Sequence, residues 1–287
     1  MSLRRVATIG ALRSALDPAR AAGASVGLVP TMGALHDGHA SLIRAAASAN
    51  DVVVTTVFVN PLQFAPTDDL AAYPRDLERD AAIAEGAGAT HLFSPTVEEM
   101  YPFGAAGVLT NISVREITQV LDGLHRPGHF DGVTTVVAKL FAIAGPCRAY
   151  FGEKDFQQLA VVRRMTVDLS FPVDVVGCPI VREPHGLAMS SRNAYLRDDQ
   201  RERAGVLHRA LVAGRDAVLA GEREGDVVRA QMIAVLATEP EAMVDYAAVV
   251  DSATLHDLDV LTGEVRLLIA ARIGPARLID NLGVTVS

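Results

Sequence analysis

Cysteine is nearly missing from this 287-residue chain: Cys147 and Cys178 are the only two, each inside a strand-like run. So few thiols, without paired spacing, exclude a disulfide framework and a zinc finger, and two free thiols in a reducing cytosol are expected. Long hydrophobic runs are also lacking. The most apolar stretch, residues 52–59, contains two threonines and is far shorter than the roughly 20 residues a membrane-spanning helix requires. Positive charge is scarce, with 26 Lys and Arg against 34 Asp and Glu and a net charge of −8. No basic stretch compensates, which argues against a nucleic-acid scaffold but not against a small anionic substrate held by a few cations in one pocket. A Walker-type G-x-x-x-x-G-K-[ST] is absent, so any nucleotide is held by another device. The opening MSLRRVATIGALRSALDPAR carries Arg4 and Arg5, but Arg13 and Asp17 interrupt its apolar part. It reads as the first strand and helix rather than a signal peptide.

What is present is an ordinary globular balance, 50% hydrophobic and 21% charged, enough to bury a substantial core in one large domain or two smaller ones. Short apolar runs alternate with helical patterns. Residues 25–30, 51–60, 90–95, 147–152 and 173–179 read as strands. Helices are expected through about residue 50, from about 75 to 86, over 133–143 and over 156–169. Unbroken apolar strands alternating with helices indicate a doubly wound, Rossmann-like α/β domain with a parallel sheet. Past about residue 179 the texture changes. A long charged helix over 198–221 and a shorter one over 226–238 precede three strand-like runs, which suggest a smaller α+β domain with a largely antiparallel sheet. The expected division is 1–180 and 181–287, the second domain being a candidate lid.

The sharpest local feature is PTMGALHDGH, residues 30–39, directly after the strand read over 25–30. Ligands of parallel α/β sheets bind beyond the carboxyl ends of the strands, at helix N-termini. Gly33 and Gly38 permit close backbone approach, and His36 and His39 stand three apart at the expected helix start, so both rings can face one spot. A bare His-x-x-His is more often a pair of structural or incidental histidines than of metal ligands or phosphate contacts. Two further segments add donors for phosphate oxygens: AMSSRN (188–193), with Ser190, Ser191 and Arg192, and GEKD (152–155), with Lys154 and Asp155. Each alone also reads as a polar turn or a plain helix start.

Together these segments resemble the nucleotidyltransferase fold shared with class I aminoacyl-tRNA synthetases. Within that group VPTMGALHDGH, FVNPLQF, YPRDLERD, RPGHFDGV, YFGEKDFQQL and REPHGLAMSSRN follow, in order, the pattern of the pantothenate synthetase family, with a weaker echo in VDYAAVVDSATL. The resemblance implies an ATP-dependent ligase that adenylates pantoate and joins it to β-alanine, releasing AMP and pyrophosphate, with Mg²⁺ accompanying ATP. It implies an ATP site of Met32, Gly33, Ala34, Leu35, His36, Asp37, Gly38 and His39, with Gly152, Glu153, Lys154, Asp155, Val181, Met189, Ser190, Ser191 and Arg192. His36, His39, Lys154, Ser190, Ser191 and Arg192 would act on the phosphates. Gln63 and Gln158, with His129 and Arg126, would serve pantoate and β-alanine, and Asp80 would lie near the metal. It also implies a cytoplasmic homodimer with small-molecule substrates, no nucleic acid and no membrane. Ala65, and Pro184 with His185, depart from the commonest family pattern. A cytidylyltransferase-type enzyme that keeps the nucleotide on its product, a metal-dependent hydrolase using His36, His39 and His129, and a non-catalytic nucleotide sensor are the rival readings.

Overall fold

The computed structural model describes residues 3–64, 70–71 and 73–287, so the departure at Ala65 lies outside the described residues. Two compact units are present: Met1–Glu153 with Val161–Pro179, and Lys154–Ala160 with Ile180–Ser287. The sequence suggests a single boundary at 180, whereas residues 154–160 group with the second unit.

The first unit is built on β1 (Arg4–Val6), α1 (Ile9–Ala21), β2 (Val26–Val29), α2 (Asp37–Ala49), β3 (Val52–Thr56), α3 (Leu77–Gly86) and β4 (His91–Phe93). Then come α4 (Val97–Met100), α5 (Asp122–His125), α6 (His129–Ala144), β5 (Cys147–Gly152), the later part of α7 (Phe156–Asp168) and β6 (Val173–Cys178). All six strands are parallel, in the order β1-β4-β3-β2-β5-β6. Every residue of β2 is buried, as expected for a central strand covered by helices on both faces. Strand order reverses between β2 and β5, and at such a switch point the segments leaving adjacent strands diverge and leave a crevice for ligand.

Local chemistry sets where elements begin and end. The expected strand over 51–60 stops at Thr56: Val57 N then donates to Phe93 O (2.8 Å) and Phe58 N to Thr31 O (3.1 Å). Asn60 caps a 3-10 turn over Pro61–Gln63. Helix α6 starts four residues before the expected 133, because Gly128 adopts the left-handed conformation at its N-cap (φ 79°) and turns RPG directly into helix.

The second unit holds the start of α7, then α8 (Asp198–Ala204), α9 (Val206–Leu219), α10 (Gly225–Leu236), β7 (Met243–Asp251), β8 (Gly263–Ile273) and β9 (Ala276–Val286), an antiparallel sheet in the order β7-β8-β9. The long helix expected over 198–221 is two helices meeting at Gly205. A Cβ there would lie 2.3 Å from the carbonyl oxygen of His185, so the break coincides with a backbone approach only glycine permits. Leu207, Leu211, Met232, Leu236, Leu267 and Ile269 form much of this unit's core.

Both cysteines are free thiols. Burial pushes the Cys147 thiol up to about 12 and raises Cys178 as well, so neither is an activated nucleophile. Among the described residues no helix is long and apolar enough to cross a membrane.

Candidate active site

In the first unit the loop between β2 and α2 is pinned from below. Thr31 N donates to Thr56 Oγ1 (3.1 Å), Thr31 Oγ1 donates to Thr56 O (2.5 Å), and Gly33 N donates to Thr31 Oγ1 (3.1 Å). Gly33 and Ala34 follow with positive φ, 86° and 50°. For Ala34 this left-handed geometry costs on the order of 1 kcal/mol and must be held by neighbours. Asp80 of α3 does so: its Oδ1 accepts from Leu35 N (2.7 Å) and its Oδ2 from Ala34 N (3.1 Å). A Cβ on Gly33 would sit 2.8 Å from Asp80 Oδ2. Asp80 is 1% exposed. Burial raises its carboxyl above the usual range, against the pull of the two backbone N–H groups.

The chain then enters α2 through two histidines. His36 is the N-cap, its Nδ1 accepting from Gly38 N (3.1 Å), and His39 Nδ1 accepts from His36 N (3.3 Å). This is the reciprocal logic of a capping box with imidazoles in place of a hydroxyl and a carboxylate. Because each Nδ1 accepts a backbone N–H, each neutral ring carries its proton on Nε2. The ring centroids are 4.1 Å apart. A pair of Nε2–H donors at a helix N-terminus suits phosphate oxygens.

A second cluster of this unit joins Gln63, Met32, His129 and Arg126. Gln63 is buried (8% exposed); its Nε2 donates to Met32 Sδ (3.0 Å) and its Oε1 accepts from Asn60 Nδ2 (3.2 Å). Asn60, 1% exposed, also donates to Gly132 O (3.0 Å) and accepts from the Tyr101 hydroxyl (2.8 Å). His129 lies 2.8 Å through Nδ1 from Gln63 O and 3.1 Å through Nε2 from Arg126 Nη1. A carbonyl can only accept, so the His129 proton sits on Nδ1, the opposite tautomer from His36 and His39. Arg126 and Asp131 also line a cavity of ≈320 Å³ with Ser113, Thr118 and Gln119.

In the second unit Lys154 Nζ lies 3.3 Å from Asp155 Oδ1, with 16% and 47% of the side chains exposed. Residues 181–189 form a hairpin in which Met189 N donates to Val181 O (2.9 Å) and Gly186 N to Glu183 O (2.8 Å). Gly186 has φ 97° at this turn, so the Pro184-His185 departure sits in a tight turn. Ser190 Oγ accepts from Arg192 N (3.3 Å) and starts a 3-10 helix over Ser191–Tyr195. Buried Asn193 ties this segment back through Ala188 O (3.1 Å) and Glu183 Oε1 (2.8 Å). Gln158 is half-buried in the first turn of α7.

Asp80, which the resemblance puts near the metal, accepts one backbone N–H on each of its oxygens. Among the described residues no group of three or more His, Cys, Asp or Glu side chains converges as a metal cage. Sequence reasoning assigned no role to Asn60, Thr31, Thr56 or Asn193, which position the residues it did name. Asn60 lies within the quoted FVNPLQF, and that is its only signal.

Known proteins match this arrangement along nearly its whole length. The family model described as pantoate-beta-alanine ligase matches residues 4–283. The pantothenate synthetase of Moorella thermoacetica is 53% identical over 280 residues, 98% of each chain. That of a Roseiflexus species is 54% identical, over 97% of this chain and 98% of its own. Among solved structures, the pantothenate synthetase of Thermus thermophilus superposes with a TM-score of 0.91 at 50% identity, covering 97% of this chain and 98% of that one. The pantoate-beta-alanine ligase of Francisella tularensis, solved in complex with beta-gamma ATP and beta-alanine, gives 0.77 at 33% identity, covering 98% and 97%. With the parallel sheet, the histidine-capped helix after β2 and this full-length likeness, the chain belongs to the pantoate–β-alanine ligase family.

Proposed function

We propose that the chain condenses pantoate with β-alanine, using ATP as co-substrate, to give pantothenate, AMP and pyrophosphate. A pantoate carboxylate oxygen attacks the α-phosphorus, the bond to pyrophosphate breaks, and pantoyl adenylate forms. The neutral amine of β-alanine then attacks the acyl carbon, the bond to AMP breaks, and the amine gives up a proton. The carrying observation is the β2–α2 loop: strained backbone ends in two Nε2–H donors at a helix N-terminus, beyond a parallel sheet. Family membership over residues 4–283 supports reading this device as serving the ligase chemistry, and the same full-length match disfavours the cytidylyltransferase, hydrolase and sensor readings.

In this reading residues 32–39 line ATP, and His36 and His39 donate to oxygens that gain charge as pyrophosphate leaves. Lys154, Ser190, Ser191 and Arg192 supply further donors, with Gly152, Glu153, Asp155, Val181 and Met189 along the nucleotide. Preorganised donors of this kind contribute on the order of 10²–10³ each in rate. Gln63 and Gln158 orient pantoate, since each amide offers a donor and an acceptor. The opposite charges of Arg126 and Asp131 on one cavity suit a zwitterion such as β-alanine. Mg²⁺ fits as a companion of the phosphates, and Asp80, whose oxygens each accept one backbone N–H and keep a further lone pair, is the candidate protein group beside it. When bound, the ion would neutralise phosphate charge. Exposed Phe103 (88%), Leu109 (97%) and Leu124 (68%) support a homodimer, testable by sedimentation, and the two free thiols support a cytoplasmic setting.

The test is release of AMP and pyrophosphate from MgATP with pantoate and β-alanine supplied separately and together. AMP turnover only with both is expected; none under any combination would overturn the ligase assignment.

A further inference from the structure

Two adjacent residues of β9, Asp280 and Asn281, are polar and almost fully buried, 3% and 2% exposed. Adjacent side chains of a strand point to opposite faces, so the pair reaches in two directions. On one side Asp280 takes the Arg182 guanidinium in a two-pronged ion pair, Oδ2 from Nη1 at 2.6 Å and Oδ1 from Nη2 at 2.9 Å. Arg182 Nη1 also donates to Gly186 O (2.9 Å), so Asp280 grips the 181–189 hairpin that leads into Met189, Ser190, Ser191 and Arg192. On the other side Asn281 Nδ2 donates to the backbone oxygen of Lys154 (2.9 Å). Its Oδ1 accepts from Arg266 Nε (2.8 Å) and Nη2 (2.5 Å), and Arg266 lies over the Phe156 ring at 3.9 Å. Asp280 Oδ1 also accepts from Asn281 N (2.8 Å). One dipeptide thus fixes the Lys154 segment and the hairpin base to the same point of the sheet.

We propose that Asp280 and Asn281 are positioning residues for adenylate formation, holding in register the two segments of this unit that carry phosphate-binding side chains. The proposal rests on the reading that Lys154 and residues 190–192 serve the phosphates of ATP. A buried ion pair is weak as a source of stability, because desolvation opposes the attraction. Two-pronged geometry does fix orientation. A misplacement of about 1 Å costs on the order of 10²-fold in rate, which is the scale on which anchoring the Lys154 backbone matters.

The experiment compares Asn281→Asp, Asp280→Asn, Lys154→Ala and Asp245→Asn, reading pantoate-dependent pyrophosphate release and thermal unfolding. Asn281→Asp keeps an oxygen toward Arg266 but replaces the donor to Lys154 O with an acceptor. Asp245 pairs with Arg277 Nε at 2.6 Å elsewhere in the same sheet and reports what a merely structural loss does. Asn281→Asp should lower kcat for pyrophosphate release about 10- to 100-fold, with KM for pantoate within about twofold of the parent. Its midpoint should fall no further than that of Asp245→Asn, which stays within about twofold in activity. If Asn281→Asp does not fold, Asn281→Ser takes its place under the same criteria. Full activity of the Asn281 and Asp280 variants beside a crippled Lys154→Ala would overturn the proposal and leave the phosphate role of Lys154 standing. An active Lys154→Ala would overturn that role and the proposal with it. Equal activity losses in Asn281→Asp and Asp245→Asn would reduce the pair to ordinary packing and also overturn it.

Discussion

Asp80 is the buried clamp under the loop that the family resemblance places on ATP, and removing it separates two accounts of the residue. Asp80→Ala leaves two backbone donors, Ala34 N and Leu35 N, without the acceptors they meet at 3.1 and 2.7 Å. An unsatisfied buried donor costs about 1–3 kcal/mol, so both together cost roughly 2–6 kcal/mol. Relief from burying the carboxylate, which raises its pKa, offsets part of this. At about 2–4 °C per kcal/mol for a chain of this size, the midpoint should fall by several degrees and by no more than roughly 24 °C. Asp80→Asn keeps one acceptor and turns an amide N–H toward the other donor, so it should lose about half as much. Pyrophosphate release should fall in both variants, because Ala34 no longer has its left-handed geometry held. The assay is thermal unfolding beside the half-reaction, each across a magnesium titration. An Asp80→Ala variant with an unchanged midpoint and an altered magnesium requirement would refute the clamp and make Asp80 a metal ligand.

The same residue predicts a pH signature of definite sign. Burial raises the Asp80 carboxyl above its ordinary value of 3.8. The native state therefore binds this proton more tightly than the unfolded state, and stability falls as pH rises from about 3.8 through the folded value. Alanine has no such titration. The stability advantage of the parent over Asp80→Ala should be largest at the acid end of that window and narrow to a plateau above it. An advantage that widens with rising pH would contradict the stated balance between burial and hydrogen bonding.

Substitution of His36 separates cap from catalysis: His36→Ala should lose about 1 kcal/mol of stability with the N-cap, whereas His36→Asn should keep most of it. Both should be impaired in pyrophosphate release, and normal turnover in His36→Asn would remove His36 from phosphate binding. Gln63→Ala should weaken pantoate far more than ATP in steady-state kinetics, and equal losses for both would contradict the pocket built from Gln63, Met32 and Asn60. Gly132→Ala would place a Cβ 2.2 Å from Leu62 O, so it should destabilise by at least about 1–3 kcal/mol. It should also raise KM for pantoate by shifting Gln63, and a parent-like midpoint would show that this helix contact yields easily.

Much of the fold was legible because its central strands, β2 and β3, are short runs without a charged residue. Residues 25–30 could be little else, and every residue of Val26–Val29 is buried. The loop after that strand was legible from two glycines and two histidines at the start of a helical pattern. The break at Gly205 was not, because the run over 198–221 is helical on both sides. What stops it is the His185 carbonyl, twenty residues earlier in the chain. The start of α6 at His129 was hidden by RPG, which reads as a turn until Gly128 is seen in the left-handed conformation. Buried polar residues were the hardest. Asp280 and Asn281 sit in ARLIDNLGV, where a polar pair reads as the solvent side of a strand. Only the contact with Arg182, 98 positions away, shows otherwise.

Polar residues, more than apolar ones, hold the backbone of the proposed ATP- and pantoate-binding segments in each unit. Thr56 and Asp80 secure the loop ahead of α2, Asn60 secures Gln63, and Asn193, Asp280 and Asn281 secure residues 154 and 181–193. An apolar contact is stabilising over a range of orientations, so it tolerates small slides. A hydrogen bond weakens steeply once its angle falls below about 120°, and a two-pronged ion pair allows still less freedom. Leucine and methionine in place of Arg182 and Asp280 would spare the desolvation of the ion pair itself, offset by the loss of its bonds to Gly186 O and Asn281 N. They would also release the hairpin base from β9. Stability and positioning come apart at such sites, and a search for thermostable variants that ignored turnover would select against the residues that hold the proposed phosphate-binding segments in place.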